Sequence, residues 1–521
     1  MHSFSFRIRN RAMCLVLLAL LLILPLIAAC GTETPGTSSE AEPVSAAEPS
    51  KEESVATEPT DLYKGDDFTG RTFTILTSDV DTDPMSEIVY NEEGAHEATT
   101  PMPEKLNVSL KARMDNLEKR LGVTLKETYL YDSRRYGGTT ITYIRNAITT
   151  ALDEFQAIDI SLYDCGTLSL ENALYNLHYV DNFNPKHPWW DQGFNDSVEI
   201  AGKLFFTTGD IDFRNKSATT CLLFNAGLFE RLGLEDPYEL VASGDWTIDK
   251  VMELAKNYSE DMDQDDRITW HDRFGWAGQY DDMYAFLYGS GVRIVSPDAN
   301  GYPSMSFYNE KTVEVVEKIL NFMQEKDYYI CGNDMFNEFQ WPMIPLMEDF
   351  AAGQCLFFAG VVENIFEIKD AVDEFGIAPS PKYNKEQDSY YSLLNTWAAN
   401  AMAIPTNVTE DELPFVGACL DVLGYLSWKN LEDSVAYNYY DVVLKYQKLT
   451  TEKASLLLDE IFAVRGCELG AIYQVGIYGA GGGTVYDMLI NMMDNDMTTG
   501  LTAKYDERKS QFQESIDAIR T

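Results

Sequence analysis

Apolar residues run almost unbroken from Met13 to Ala29, thin out from Gly31 to Thr60, and then return in short periodic blocks to the C-terminus. The first periodic block, Arg71–Leu76, reads as a strand ending in the polar turn Thr77-Ser78-Asp79. Leu106, Leu110, Met114, Leu117 and Leu121 recur at helical spacing and predict a helix over Glu104–Leu121. Gly122 stops it, and Val123-Thr124-Leu125 restarts a strand. A second helix is expected over Tyr143–Glu154, then a strand over Ala157–Leu162 running into Tyr163-Asp164. This β-α-β-α-β alternation predicts a parallel sheet with helices on its faces. Ligands in such sheets bind beyond the carboxyl ends of the strands, where Ser78-Asp79 and Tyr163-Asp164 stand. A second block begins with the strand Thr220–Asn225. A helix follows Trp246 with Thr247 as its N-cap. Later strands are expected over 354–358, 375–378 and 401–404, and helices over 411–426, 452–462 and 486–493. There is no internal repeat.

The N-terminal apolar run is about 17 residues long, short for a membrane span, and three arginines precede it. Basic head, apolar stretch and small residues are the order of a secretion signal. Its end, Ile27-Ala28-Ala29-Cys30, resembles the lipobox of bacterial lipoproteins. That resemblance implies cleavage before Cys30 and acylation of its thiol, and two or three acyl chains make a stable anchor. Residues 1–29 are then a signal peptide. Residues 30–61 hold no aromatic side chain and read as a flexible tether, because they bury too little apolar surface to offset their ordering entropy.

The formal net charge is −43, with 83 acidic against 40 basic residues. A body this acidic repels nucleic acid and anionic membrane surfaces, which leaves neutral or cationic small solutes. About 460 residues follow the tether, more than one core supports, so at least two lobes are expected. Six cysteines remain after Cys14 and Cys30, at 165, 221, 331, 355, 419 and 467, with no CxxC pair. Buried free thiols are expected rather than a zinc or thioredoxin motif, with disulfides left open.

Several phrases in fixed order carry a wider resemblance. They include Ala157-Ile158-Asp159-Ile160, Trp189-Trp190-Asp191, Gly202–Phe206, Cys221–Phe229, Gly233–Tyr238, Gly244-Asp245-Trp246-Thr247, Phe350–Gln354 and Phe375–Lys382. Over nearly the whole mature chain this order resembles the extracellular solute-binding proteins of ABC importers, in their sugar-binding lipoprotein branch. The resemblance implies an α/β, two-lobe periplasmic-binding-protein-like fold (type II) with the ligand cleft between lobes. It places lobe 1 at 62–212 with 396–448 and lobe 2 at 213–395 with 449–521, crossing near 208–218, 393–398 and 447–455. By order in the chain it assigns ligand contacts to Ser78, Asp79, Tyr163, Asp164, Asp210, Asp212, Arg214, Gln279, Tyr280, Glu363, Trp397 and Tyr478. Trp189 and Trp190 are expected in the core instead.

The loop from Asp261 to Asp272 spaces oxygen donors like a calcium loop, with Asp261, Asp263, Asp265, the Arg267 carbonyl and Asp272 at positions 1, 3, 5, 7 and 12. It departs at position 6, Asp266 in place of Gly, and at position 12, Asp in place of Glu. A structural calcium ion is expected there, and no other cofactor. The Gly479–Thr484 turn lacks the lysine of a P-loop and the GxGxxG spacing, and reads as a tight turn or a mobile cleft edge. His96-Glu97 opens like a zinc-protease motif, but Thr100 stands where its second His belongs, and no GxSxG occurs.

Together these readings describe a monomeric, non-enzymatic receptor. It is lipid-anchored outside a bacterial cell, Gram-positive by the resemblance. It captures an oligosaccharide and delivers it to a permease. A receptor for a peptide or other polar solute, and a surface glycoside hydrolase, are the alternatives.

Overall fold

The structure is a computed structural model and describes residues 57–65, 67–80, 86–90, 103–368, 374–449, 451–477 and 483–520. The expected signal sequence, Cys30, most of the expected tether, Tyr478 and the glycine run at 479–482 lie outside the described residues. Among the described residues, no helix is long and apolar enough to cross a membrane.

The first sheet is built around β1 (Thr72–Asp79), β2 (Thr124–Tyr131) and β3 (Ala157–Ser161). β1 lies in the centre, parallel to both neighbours, with Thr72 opposite Thr124 and Ile75 opposite Ala157. A fourth strand, Asn400–Ala403, joins β3 antiparallel. Phe73, Ile75 and Leu76 of β1 and Ile158 and Ile160 of β3 are buried. The helix between β1 and β2 spans Glu104–Leu121 as its spacing predicts, with Leu106, Leu110, Leu117 and Leu121 inward. Gly122 ends it at φ 69°, where an added Cβ would lie 2.6 Å from the Thr69 backbone, so only glycine fits. The next helix, Thr139–Thr150, sits one turn earlier than expected. Ala151 turns left-handed at φ 50°, and the Leu152 amide bonds back to the Ala147 carbonyl at 2.9 Å.

The second sheet contains β4 (Thr220–Phe224) and β5 (Phe274–Gly278), with Tyr329–Cys331, Cys355–Val361 and Gly376–Ala378. β5 is parallel to Tyr329–Cys331 and to Cys355–Val361. β4 runs antiparallel to Cys355–Val361 and to Gly376–Ala378. Trp276 anchors this core, packed on Phe286, Phe322, Tyr329 and Phe357 with ring centres 5.0–6.3 Å apart. Thr247 caps the helix Ile248–Lys256, accepting from the Lys250 amide.

The chain passes between the sheets in paired segments. Thr207 bridges Met402 and Thr219 bridges Leu394, both antiparallel, so the outgoing and returning stretches lie side by side. Ser392-Leu393 also pairs parallel with Arg465-Gly466. Tyr439 stacks on Phe213 at 4.7 Å and on Phe366 at 5.7 Å, filling the space beside the connections.

Trp189 and Trp190 are 1% and 2% exposed, in the core as expected. Both indole N–H groups donate to Asp421 Oδ1, at 2.9 and 3.1 Å, and Asp421 Oδ2 receives His187 Nδ1 at 2.8 Å. His187 Nε2 reaches Asp61 at 3.3 Å. Glu58 pairs with Arg120, whose guanidinium draws its carboxyl down to about 2. Glu58 and Asp61 were assigned to the tether, but each is held by side chains of the folded body. All six cysteines from Cys165 to Cys467 are buried free thiols.

Candidate functional site

The carboxyl ends of β5 and Cys355–Val361, with the start of antiparallel β4, open onto a cavity of about 920 Å³. β1 and β2 reach it through Val80, Tyr131 and Ser133, and the returning connection contributes Asn395, Trp397 and Ala398. The cavity therefore lies between the two sheets and touches a connection that joins them. Two half-exposed rings mark its wall. Trp341 is 54% and Trp397 38% exposed, where the core indole Trp276 is 1% exposed. Trp341 precedes the helix Met343–Ala351, which adds Met343, Ile344 and Met347. Tyr131, at the end of β2, is also exposed.

Trp397 is placed by its own turn. Its amide and that of Ala398 donate to Asn395 Oδ1, at 2.9 and 3.2 Å. The Arg135 guanidinium lies 5.6 Å from the Trp397 ring centre. Arg135 is buried, donates to Asp79 Oδ1 at 3.0 Å and to the carbonyls of Ala398 and Ala399, and bonds Asn400. Burial lowers its pKa to about 10, so it stays cationic at neutral pH. Asp159 lies close by in the core. Burial first, and then the carboxylates of Asp212 and Glu127, push its carboxyl well up.

The polar wall of the second lobe forms around the end of β5. Asp282 accepts from the Tyr329 hydroxyl at 2.9 Å and the Gln279 amide at 3.2 Å. Burial raises it to about 7. Asp281 precedes the helix Asp282–Gly289, yet its side chain makes no capping bond. It accepts instead from the Tyr486 hydroxyl at 2.5 Å, and burial raises its pKa as well.

Of the residues expected to meet ligand, Gln279, Glu363 and Trp397 line this cavity. The others stand elsewhere. Ser78 is buried, and Asp79 is ion-paired with Arg135. Asp164 accepts from the Gly137 amide at 2.9 Å, and burial raises it to about 6. Tyr163 meets Tyr136 edge-on at 6.0 Å and lies electrostatically close to Tyr284 and Tyr486. Asp210 is buried against Lys216 at 2.5 Å and the Lys429 amide at 2.8 Å. Asp212 is buried near Arg113, whose guanidinium donates to the Ile211 carbonyl at 2.7 Å. Tyr280 donates to Asp494 at 2.9 Å, outside the cavity wall. The Arg214 side chain and Tyr478 lie outside the described residues. Sequence reasoning missed Trp341, Asp281, Asp282 and Asn395. Asn395 fell within the expected second crossing, whereas nothing in the local pattern marks Trp341.

No residue of the acidic loop lines the cavity, although its Trp270 packs edge-on against Phe339 at 5.3 Å, next to the wall residues Gln340 and Trp341. Asp261, Asp263 and Asp265 each offer an oxygen, all within 4.8 Å of one another. Asp261 is also held by the amides of Gln264 and Asp266, and both of those residues have positive φ, 63° and 67°. Asp266 thus adopts the turn that glycine makes in a calcium loop. Asp272 is buried, and its oxygens accept from Met262 N, Thr269 N and Thr269 Oγ1 at 2.8–2.9 Å. Three of the expected donors converge; Asp272 is used by the loop backbone.

No protein-family model matches the chain, and no curated protein sequence matches it. Solved structures do. A cyclo/maltodextrin-binding protein complexed with maltotetraose is similar at 10% identity, over 86% of this chain and 96% of that one, with a TM-score of 0.51. An ABC substrate-binding protein from Listeria monocytogenes in complex with cycloalternan matches at 12% identity over 86% and 98%, TM-score 0.49. The maltose-binding periplasmic protein of Listeria monocytogenes, in complex with maltose, matches at 12% over 86% and 97%, TM-score 0.49. The first likeness shows the fold: α/β, in the two-lobe periplasmic-binding-protein-like arrangement.

Proposed function

We propose that this chain is a solute receptor that captures an oligosaccharide between its lobes and delivers it to the permease of an ABC importer. The observation that carries this reading is the cavity between the sheets, walled from both sides and faced by the half-exposed rings of Trp341 and Trp397. Sugars offer flat CH faces and many hydroxyls, which such rings and the amides of Gln279, Asn364 and Asn395 complement. The fold supports it, since the similar cyclo/maltodextrin-binding protein holds maltotetraose. Lobes 62–212 with 396–448 and 213–395 with 449–521 close on the ligand by hinge motion at the paired connections. The sugar is bound and released without covalent change. A thermal-shift screen against a carbohydrate panel tests this. A bound sugar at 100 times its Kd raises stability by about 2.7 kcal/mol. No shift with any sugar contradicts the reading.

The receptor is tethered outside the cell through an acylated Cys30, which lies outside the described residues. Cys30→Ser protein should take up no labelled fatty acid in growing cells; retained label refutes the anchor.

The loop at Asp261, Asp263 and Asp265 holds a structural calcium ion. The three converging donors are carboxylate oxygens, which suit a hard divalent cation, and the Arg267 carbonyl at position 7 is the expected backbone ligand. Calcium should raise the melting temperature over that in chelator, and Asp261→Ala should abolish the difference. Equal melting of the wild type in both conditions refutes the site.

A further inference from the structure

The charged groups on the cavity wall are all acidic. Among the described lining residues they are Asp281, Asp282 and Glu363, with no lysine, arginine or histidine. Arg135, behind Trp397, is already engaged by Asp79, Asn400 and two carbonyls and offsets the charge of Glu363, which leaves Asp281 and Asp282 as the wall acids at issue. Arg134, beside the wall residue Ser133, is exposed to solvent. Asp281 and Asp282 have neutral partners: the Tyr486 hydroxyl for one, the Tyr329 hydroxyl and Gln279 amide for the other. A carboxylate walled into protein without a cation is costly, and Asp281, which makes no bond to its helix, has only the neutral donors Tyr486 and Asn395.

From this we infer that the ligand carries a positive charge: the cavity takes a basic, amine-bearing saccharide, with its ammonium group beside Asp281 and Asp282. This rests on the receptor reading above and narrows it. The ligand supplies the cation that the wall lacks. The raised pKa values of both carboxyls, from burial, fit a wall that ionises fully only when that cation arrives. Trp341 and Trp397 add ring faces that attract an ammonium group as well as a CH face. The surrounding body, at a formal −43, draws cations towards the cleft and turns anionic sugars away.

The test uses calorimetry at neutral pH with three probes on the full-length protein: the tetramer of glucosamine with free amines, its N-acetylated form, and maltotetraose. N-acetylation removes the charge and keeps the skeleton. The free amine should bind at least about tenfold tighter than its acetylated form, and added salt should erode that preference. Asp281→Asn and Asp282→Asn, checked for unchanged melting, should each shrink the preference. Equal or tighter binding of the acetylated or neutral sugar overturns the inference and leaves the receptor reading standing. So does a preference unchanged in both variants. If no probe of any charge binds, and no other sugar does, the receptor reading falls and the inference with it.

Discussion

Arg135→Met is expected to lower the unfolding free energy by about 3–5 kcal/mol, the range for breaking a buried ion pair from one side. The guanidinium is 4% exposed and joins three parts of the chain. It holds Asp79 at the end of β1, the Ala398 and Ala399 carbonyls of the returning connection, and Asn400 at the start of the antiparallel strand. Methionine fills much of the stem's volume but leaves Asp79 and two carbonyls without their donor. It also removes the cation that offsets the burial of Asp159 and the charge of neighbouring Asp212. Lysine should rescue little, because one ammonium cannot span a carboxylate and two carbonyls in a fixed fork. Sugar binding should weaken too, since Trp397 rides on the segment that Arg135 holds. Urea denaturation with an unchanged m-value checks the first effect. A loss under about 1 kcal/mol shows that the network is not what fixes the connection.

Asp421→Ala should have a comparable effect of about 3–5 kcal/mol, for a different reason. One carboxylate takes three donors in the core, from Trp189, Trp190 and His187. Removing it strands two indole N–H groups and a histidine, and leaves a cavity where the carboxyl stood. The pH dependence has a defined sign. Burial pulls the His187 pKa down, but the bonds and charges of Asp421 and Asp61 outweigh it, and the net shift is upward from the ordinary 6.5. A raised native pKa adds stability that is fully present below 6.5 and fades as pH rises through the native value. Wild-type stability should therefore lose this contribution from mildly acidic to mildly alkaline buffer, and Asp421→Ala should lose much of that slope. A variant whose slope matches the wild type removes Asp421 as the histidine's partner.

The sequence made the first sheet legible because its signals are local. Four leucines and a methionine at helical spacing, closed by Gly122, define Glu104–Leu121, and the structure agrees. Parallel order followed from the alternation of elements. The antiparallel strands Asn400–Ala403 and Gly376–Ala378 were named as strands, but their partners β3 and β4 lie far away in sequence, and no local pattern reports pairing at that range. The site was less legible. Order along the chain carried Gln279, Glu363 and Trp397 to the cavity, because each follows a strand end or lies on a connection. The same argument pointed to Asp79, Asp164 and Asp210, which do not line the cavity, since a short acid at a strand end or crossing serves equally to hold a turn or pair with a buried cation. Trp341 shows the opposite failure. A lone indole in a polar loop looks like any anchoring residue, and only its exposure on the cavity wall sets it apart.

The central claim is that a sugar lies between Trp341 and Trp397. It is tested most directly by titrating the best ligand of the carbohydrate panel into wild type and into Trp341→Ala, Trp397→Ala and the double variant, with melting followed beside affinity. Each ring should contribute about 1–3 kcal/mol, or about 5- to 150-fold in Kd, and the double variant should lose most measurable binding while still folding. Wild-type affinity in a folded double variant would place the sugar elsewhere and contradict the account.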